Sequence, residues 1–335
     1  MDLFFLTALL SGKLQTTAKF EASMEKLQKD ALKYSELKNS PKLTEFDQLE
    51  ALVTSKDFAD KKNTFGKKFE QTEEGKQEQR YLALKKDPDI VFLKSINKQE
   101  LEAYLQYEVV YNENFQWSSL KDSDWKPGTI YPSKDFKAVH SYTNEQQGYN
   151  NGNNVSTEGG FLHIMTVKEP MTGAAWDEKK GMVMKNFPYS SDMICNEKIA
   201  IHEGDIVQIK LRCRGHLNHG FYLRSPKHLP FINVIDYNGL KIHVGYKENI
   251  KDDSHFETIN GVHPLNYRIY TLSWQKDELV WYCNNVELYR TTNMLKSDEK
   301  LYMTLYSFIM EQVNTRYATG GELQVEWVRV IKKKQ

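Results

Sequence analysis

From Tyr107 onward, apolar and polar residues alternate with period two in short runs bounded by Gly, Pro, Asn, Asp and Ser. Each run predicts a strand: YEVVYNENF, GGFLHIMTV, DIVQIKLRCRG, HGFYLRS, FINVIDYNG, LKIHVGY, YRIYTLSWQ, ELVWYCNNVELYR, LYMTLYSF and ELQVEWVRVI. The segment 275–278 and the pair Asn284-Asn285 have the turn chemistry of tight hairpins. Successive strands with no helix between them predict two packed sheets, as in a sandwich or jelly roll.

The first 106 residues have a different pattern. YSELKNSPKLTEF and YLALKKDPDIVFL share Tyr34 with Tyr81, Leu37 with Leu84, Lys38 with Lys85, Ser40 with Asp87 and Pro41 with Pro88. A Ser or Asp before Pro is a helix N-cap followed by the first helical position, where the ring needs no N–H and its φ already suits a helix. Each copy therefore predicts one helix ending and the next beginning. ALVTSKDFADKK is a shorter copy, with Ser55 or Asp57 at the junction. Such short helical hairpins suit a spacer, a surface for a protein partner or a brace for the sheet, and none carries recognisable chemistry. Residues 1–10 (MDLFFLTALL) have an apolar run but no basic start and no A-x-A-like cleavage site, which predicts a helix start and not a signal peptide.

Composition sharpens this division. Residues 1–106 hold 18 basic and 18 acidic residues, 3 Gly, 2 Pro and no Trp, so all six Trp fall in the strand-rich part. Over the whole chain 45 basic residues balance 45 acidic ones, which argues against a nucleic-acid or anionic-membrane binder dependent on excess positive charge. No apolar run reaches the 18 residues of a spanning helix. Cys195, Cys213 and Cys283 are odd in number and widely spaced, which predicts reduced core residues and no disulfide framework.

Three stretches of residues 107–332, taken in order, resemble glycoside hydrolase family 16, the laminarinase and lichenase family. HGFYLRSPKHLPFINVIDYNGLKIHVGY resembles the family's passage from a W-x-A-F-W-L-type strand through its E-x-D-x-x-E motif to a downstream histidine. Residues 270–289 are similar to its penultimate hairpin, and EWVRV (326–330) to its closing strand. The resemblance implies an all-β, concanavalin A-like jelly-roll sandwich over 107–335, preceded by an α-helical N-terminal domain over 1–106. It extends to helix-plus-jelly-roll proteins of gut Bacteroidetes, whose domains of this kind work in the periplasm or at the cell surface.

Retaining glycosidases need two carboxyl groups about 5 to 5.5 Å apart, one the nucleophile and one the acid/base. The family sets both, with a helper aspartate, on one strand, where a bulge lets residues three apart share a face. Carried onto this sequence, Phe231 stands at the nucleophile position, Asn233 at the helper position and Asp236 at the acid/base position. Phenylalanine can neither attack an anomeric carbon nor stabilise an oxocarbenium ion by charge, and general acid catalysis alone supplies only ~10² to 10⁴-fold. The reading is thus carbohydrate binding by a catalytically degenerate domain, with a polysaccharide or oligosaccharide as partner. Aromatic rings serve as sugar platforms and a few polar groups hold hydroxyls. The resemblance nominates Tyr222, Asn233, Asp236, His243, Tyr246 and Tyr189 for this, each with a structural alternative: core aromatic, hairpin histidine or turn-starting aspartate. An active glycosidase is the alternative reading, Asp236 working with a loop carboxylate such as Glu197 or Glu311. A structural or assembly protein that reuses the jelly roll is a further one.

Other constellations are weaker. His202, His216, His219, His228, His255 and His263 are scattered with no zinc-site spacing. Asp252-Asp253 and Asp122-Ser123-Asp124 are loop acids of the sort that ligate calcium and equally of the sort turns use, so no cofactor is expected beyond structural calcium. YNNGNN (149–154) predicts a loop, and Trp117 and Trp125 predict packing residues at the start of the sandwich.

Overall fold

The computed structural model describes residues 13–128, 140–215, 217–227, 229–249, 255–262, 264–296, 298–309 and 320–334. Residues 1–10, Glu311, Asp252-Asp253 and the histidines at 216, 228 and 263 lie outside the described residues. Among those described, no helix is long and apolar enough to cross a membrane. The chain forms two compact units, a helical one over Glu21–Tyr107 and a strand-rich one. The chain passes from one unit to the other between Tyr107 and Glu108, and residues 13–20 group with the strands. Composition concealed this. Asn284 donates to the carbonyl of Gln15 at 2.9 Å, and Thr17 donates to that of Tyr267 at 2.6 Å, tying this segment to the hairpin end of the sandwich.

In the helical unit, caps stand where the Ser/Asp-Pro pattern puts them. Ser40 accepts from Leu43 N–H ahead of the helix Pro41–Val53, Ser55 from Phe58 N–H ahead of Lys56–Phe65, and Asp87 from Asp89 N–H ahead of Pro88–Ser95. The paired tyrosines are core residues of two small clusters. Tyr34 packs with Ala31, Leu93 and Leu101, and Tyr81 with Phe46, Leu84 and Ile90.

In the strand-rich unit, one sheet has the order Phe256–Ile259, Ile242–Lys247, Phe231–Asn238, Asn218–Arg224, Leu301–Phe308, Met193–Ile201, Trp125–Pro127. A second, ten-stranded sheet is built around Arg268–Trp274, Ile206–Arg214 and Gly320–Lys333. Alternation places Phe221, Leu223, Ile232 and Ile235 of the first and Val207, Ile209, Leu272 and Trp281 of the second in one shared core, which is the two-sheet jelly roll expected. Trp125 is buried in that core, Trp117 packs on its edge, and the three cysteines are buried and reduced. A small third sheet joins Ser141–Tyr142, Met171–Asp177 and Gly181–Phe187. Periodicity did not predict it, because MTGAAWD has small residues where a strand normally shows alternating bulk.

Candidate functional site

The outer face of the seven-stranded sheet floors a groove with a cavity of about 860 Å³. Three rows of residues cross its strands as successive cross-strand partners. The first is His243, Asp236, Gly220, Tyr306 and Met193; the second is Asn233, Tyr222 and Thr304; the third is Lys247, Phe231, Arg224 and Tyr302. On Phe231–Asn238 the groove-facing positions are two apart and then three apart, because Val234 is an extra residue with no partner opposite it. Tyr222 pairs with Asn233 while Phe221 pairs with Ile235, which is the signature of a bulge. The bulge brings Phe231, Asn233 and Asp236 into the same groove. From beneath, the indole N–H of Trp281 on the opposite sheet donates to the Asn233 carbonyl at 2.8 Å and holds the bulge against the core.

Asp236 lies at the centre of the floor. The Tyr306 hydroxyl donates to its Oδ1 at 2.7 Å, and burial raises its pKa against the opposing effects of that bond and of His243. Gly220 makes the contact feasible. It lies between Asp236 and Tyr306 in the row, and a Cβ there would come within 2.3 Å of the Tyr306 hydroxyl and 2.5 Å of its Cζ. Without a side chain at 220, the Tyr306 ring lies across the strand to reach the carboxyl group.

Aromatic surface surrounds this centre. Tyr306 stacks on Phe308 with ring centroids 5.0 Å apart and lies 5.4 Å from Tyr222. Arg224 donates to the Tyr222 hydroxyl at 3.3 Å. Across the groove, the Ser141–Tyr142 edge and the turn after it contribute Tyr142 and Glu145. Glu145 is buried and its Oε2 accepts from Gln147 Nε2 at 2.9 Å and from Tyr142 N–H at 3.3 Å. Burial lifts its pKa to about 7, opposed by those hydrogen bonds and by the charge of Lys185. Among the described residues, no three His, Cys, Asp or Glu side chains are grouped to hold a metal ion.

No protein-family sequence model and no curated protein sequence matches the chain. Solved structures do match. An endo-β-1,3-glucanase from Pyrococcus furiosus aligns with a TM-score of 0.54 at 16% identity, over 68% of this chain and 95% of that one. The laminarinase catalytic domain from Thermotoga maritima aligns with a TM-score of 0.54 at 15% identity, over 69% of this chain and 100% of that one. A variant of SCLam, a non-specific endo-β-1,3(4)-glucanase of family GH16 with 1,3-β-D-cellobiosyl-glucose at its active site, aligns with a TM-score of 0.55 at 19% identity, over 68% and 95% of the two chains. The strand-rich unit has the family 16 glucanase fold.

On this family 16-type jelly roll, Tyr222, Asn233 and Asp236 line the groove, as does Phe231. Three nominated residues, Tyr246, Tyr189 and His243, do not. Tyr246 is fully buried in the inter-sheet core, where its hydroxyl donates to the Thr292 carbonyl at 2.9 Å. It directly precedes the groove residue Lys247, so alternation turns it inward. Tyr189 is buried with Leu217 and Ile309 and has no surface to offer a sugar. His243 pairs across the strands with Asp236, but its ring nitrogens lie 3.0 Å from Asn238 Nδ2 and 3.1 Å from Thr258 Oγ1. That makes it a neighbour of the carboxyl group and not a groove-lining side chain. Glu197, nominated as an auxiliary carboxylate, is exposed near Lys126 at 3.9 Å and lines no part of the groove.

The sequence reading missed Glu145, Tyr306, Phe308, Arg224 and Lys247, all of which line the groove. Period two from Tyr222 would have found Arg224. Nothing local marks Glu145, which arrives by a loop about 90 residues before Asp236.

Proposed function

We propose that the strand-rich unit binds a β-linked polysaccharide along this groove and does not cleave it. One observation carries the reading. The bulge turns the three positions matched to the family's catalytic motif into one groove, and only Asp236 among them is an acid. Phe231 supplies no nucleophile at the place where the covalent route needs one. Asp236 is bonded to Tyr306 and its pKa is raised by burial, so it is better suited to hydrogen bonding with sugar hydroxyls than to carrying charge. Tyr222, Phe231 and Phe308 provide apolar faces of the kind on which pyranose rings stack, and the Asn233 amide adds a donor and an acceptor.

The test is native affinity electrophoresis of the full chain through gels cast with laminarin, lichenan, agarose, xyloglucan and mannan, then stained for polymer. Retardation without a cleared zone, weakened by Tyr222→Ala, supports the reading. A cleared zone lost in Asp236→Asn overturns its non-catalytic half. No retardation on these gels or on gels cast with carrageenan or alginate transfers the fold to an assembly role.

A second reading has Glu145 in its favour. A second carboxyl group lines the groove with a pKa of about 7, the range in which an acid/base catalyst works. Under this reading Glu145 and Asp236 together hydrolyse the bound glycan, and Glu145→Gln abolishes release of reducing ends.

A further inference from the structure

The third row of the groove has a chemistry that a neutral glycan does not need. Arg224 and Lys247 are the direct cross-strand neighbours of Phe231, one on each side. Direct partners in an antiparallel pair have Cβ atoms ~4.5–5.5 Å apart, so the two cationic side chains flank the ring within reach of one sugar residue. Lys227 joins them from the connection between Asn218–Arg224 and Phe231–Asn238, where its N–H donates to Ser225 Oγ at 3.3 Å. Among the described residues, the groove is thus lined by one arginine, two lysines and two carboxyl groups, and burial opposes ionisation of both carboxyl groups. The cations are grouped at one end, around the position where the resemblance would place an anionic nucleophile.

We propose that the groove recognises a glycan carrying an anionic substituent, a sulfate ester or a carboxylate, with the apolar face of the substituted sugar on Phe231 and the anion between Arg224, Lys247 and Lys227. The proposal rests on the groove being a glycan site and names the class of glycan. The guanidinium is suited to a planar or tetrahedral oxyanion because its N–H groups form two parallel bonds, and its link to the Tyr222 hydroxyl fixes its position beside the aromatic floor. The two lysines act as point charges. Phenylalanine at 231 contributes by what it lacks, since a carboxylate there would repel the ligand's anion across a few ångströms.

The experiment uses the full chain and matched polymers: laminarin against sulfated laminarin, agarose against carrageenan, and alginate as the carboxylate arm. The variants are Lys247→Gln, Lys227→Gln and Arg224→Lys, with Lys179→Gln, exposed in the turn between two strands of the small third sheet, as a control and thermal melts to confirm folding. One charge-assisted hydrogen bond corresponds to roughly a tenfold change in affinity. The expected result is preference for an anionic polymer by about tenfold or more, a fall of that order in each groove variant, no change in Lys179→Gln, and affinity that drops with added salt. Preference for sulfated polymers or for alginate identifies the anion. Equal or better binding of the neutral partner, or anionic binding that the groove variants leave intact, overturns this inference while the polysaccharide reading stands. Retention of no polymer, neutral or anionic, overturns both.

Discussion

Gly220 offers a direct test of how the floor of the groove is built. In Gly220→Ala the new methyl would lie 2.3 Å from the Tyr306 hydroxyl oxygen, 2.5 Å from Cζ and 2.7 Å from the Ile235 carbonyl oxygen. Non-bonded carbon atoms are comfortable only near ~3.5 Å, so the tyrosine must withdraw by roughly 1 Å. A hydrogen bond of 2.7 Å to Asp236 does not survive that displacement. Overpacking costs about 1–3 kcal/mol and leaving the buried pair unmade costs about 1–3 kcal/mol more, giving a loss of roughly 2–6 kcal/mol. Urea denaturation followed by tryptophan fluorescence measures it cleanly, because all six tryptophans lie after residue 106 and the signal reports the strand-rich unit alone. The decisive comparison is the same substitution in a Tyr306→Leu background, which removes the hydroxyl and Cζ. There the cost should shrink by at least about 1 kcal/mol, a coupling well outside the usual additivity error of ~0.5 kcal/mol. Equal costs in the two backgrounds would refute the argument, since the clash would then lie with the Ile235 backbone and not with the tyrosine.

Three further outcomes are expected. Burial raises Glu145 from 4.5 to about 7, so the folded state holds its proton more tightly than the unfolded chain. Its contribution to stability is therefore greatest below pH 4.5 and falls as pH rises to about 7, by about 3 kcal/mol in total. Glu145→Gln should flatten the stability profile across that window, and an unchanged slope in urea titrations at pH 4.5, 6 and 7.5 would rule the cause out. Ser40→Ala and Asp87→Ala should each cost the helical unit about 0.5–2 kcal/mol by loss of an N-cap. Asp87 should cost more, because it also pairs with Lys42 at 2.9 Å, as circular dichroism melts at 222 nm would show. The three cysteines are buried, and burial raises their pKa values, that of Cys195 to about 12, so a thiol reagent should label none of them in the folded chain and all of them at the rate of unfolding.

Several features of the protein were determined by local sequence. Helix caps are made within three residues, so Ser40 and Asp87 declared two helix junctions without any tertiary information, and the third lies at Ser55, one of the two candidates there. Period-two alternation is imposed by the pleat itself, so it marked the long strands and placed Phe231 and Asn233 on one face, which Asp236 joins only through the bulge that the motif resemblance suggested. That alternation reports which residues share a face, but not what approaches that face from elsewhere. Tyr246 was nominated one residue from the groove position Lys247 and proved to point into the core. Tyr189 was judged by its motif and proved to be packed under Leu217 and Ile309.

Only the tertiary structure decided the composition of the groove. Glu145 reaches it from a loop, and Tyr306 reaches Asp236 because strand order sets Asn218–Arg224 between their two strands and Gly220 leaves the gap open. The cationic row of Arg224 and Lys247 about Phe231 likewise exists only in the register of three strands. Local order is written by interactions within a few residues, whereas a binding surface is assembled by pairing distant segments. A sequence can therefore specify the strands while the chemistry between them appears only once they are side by side.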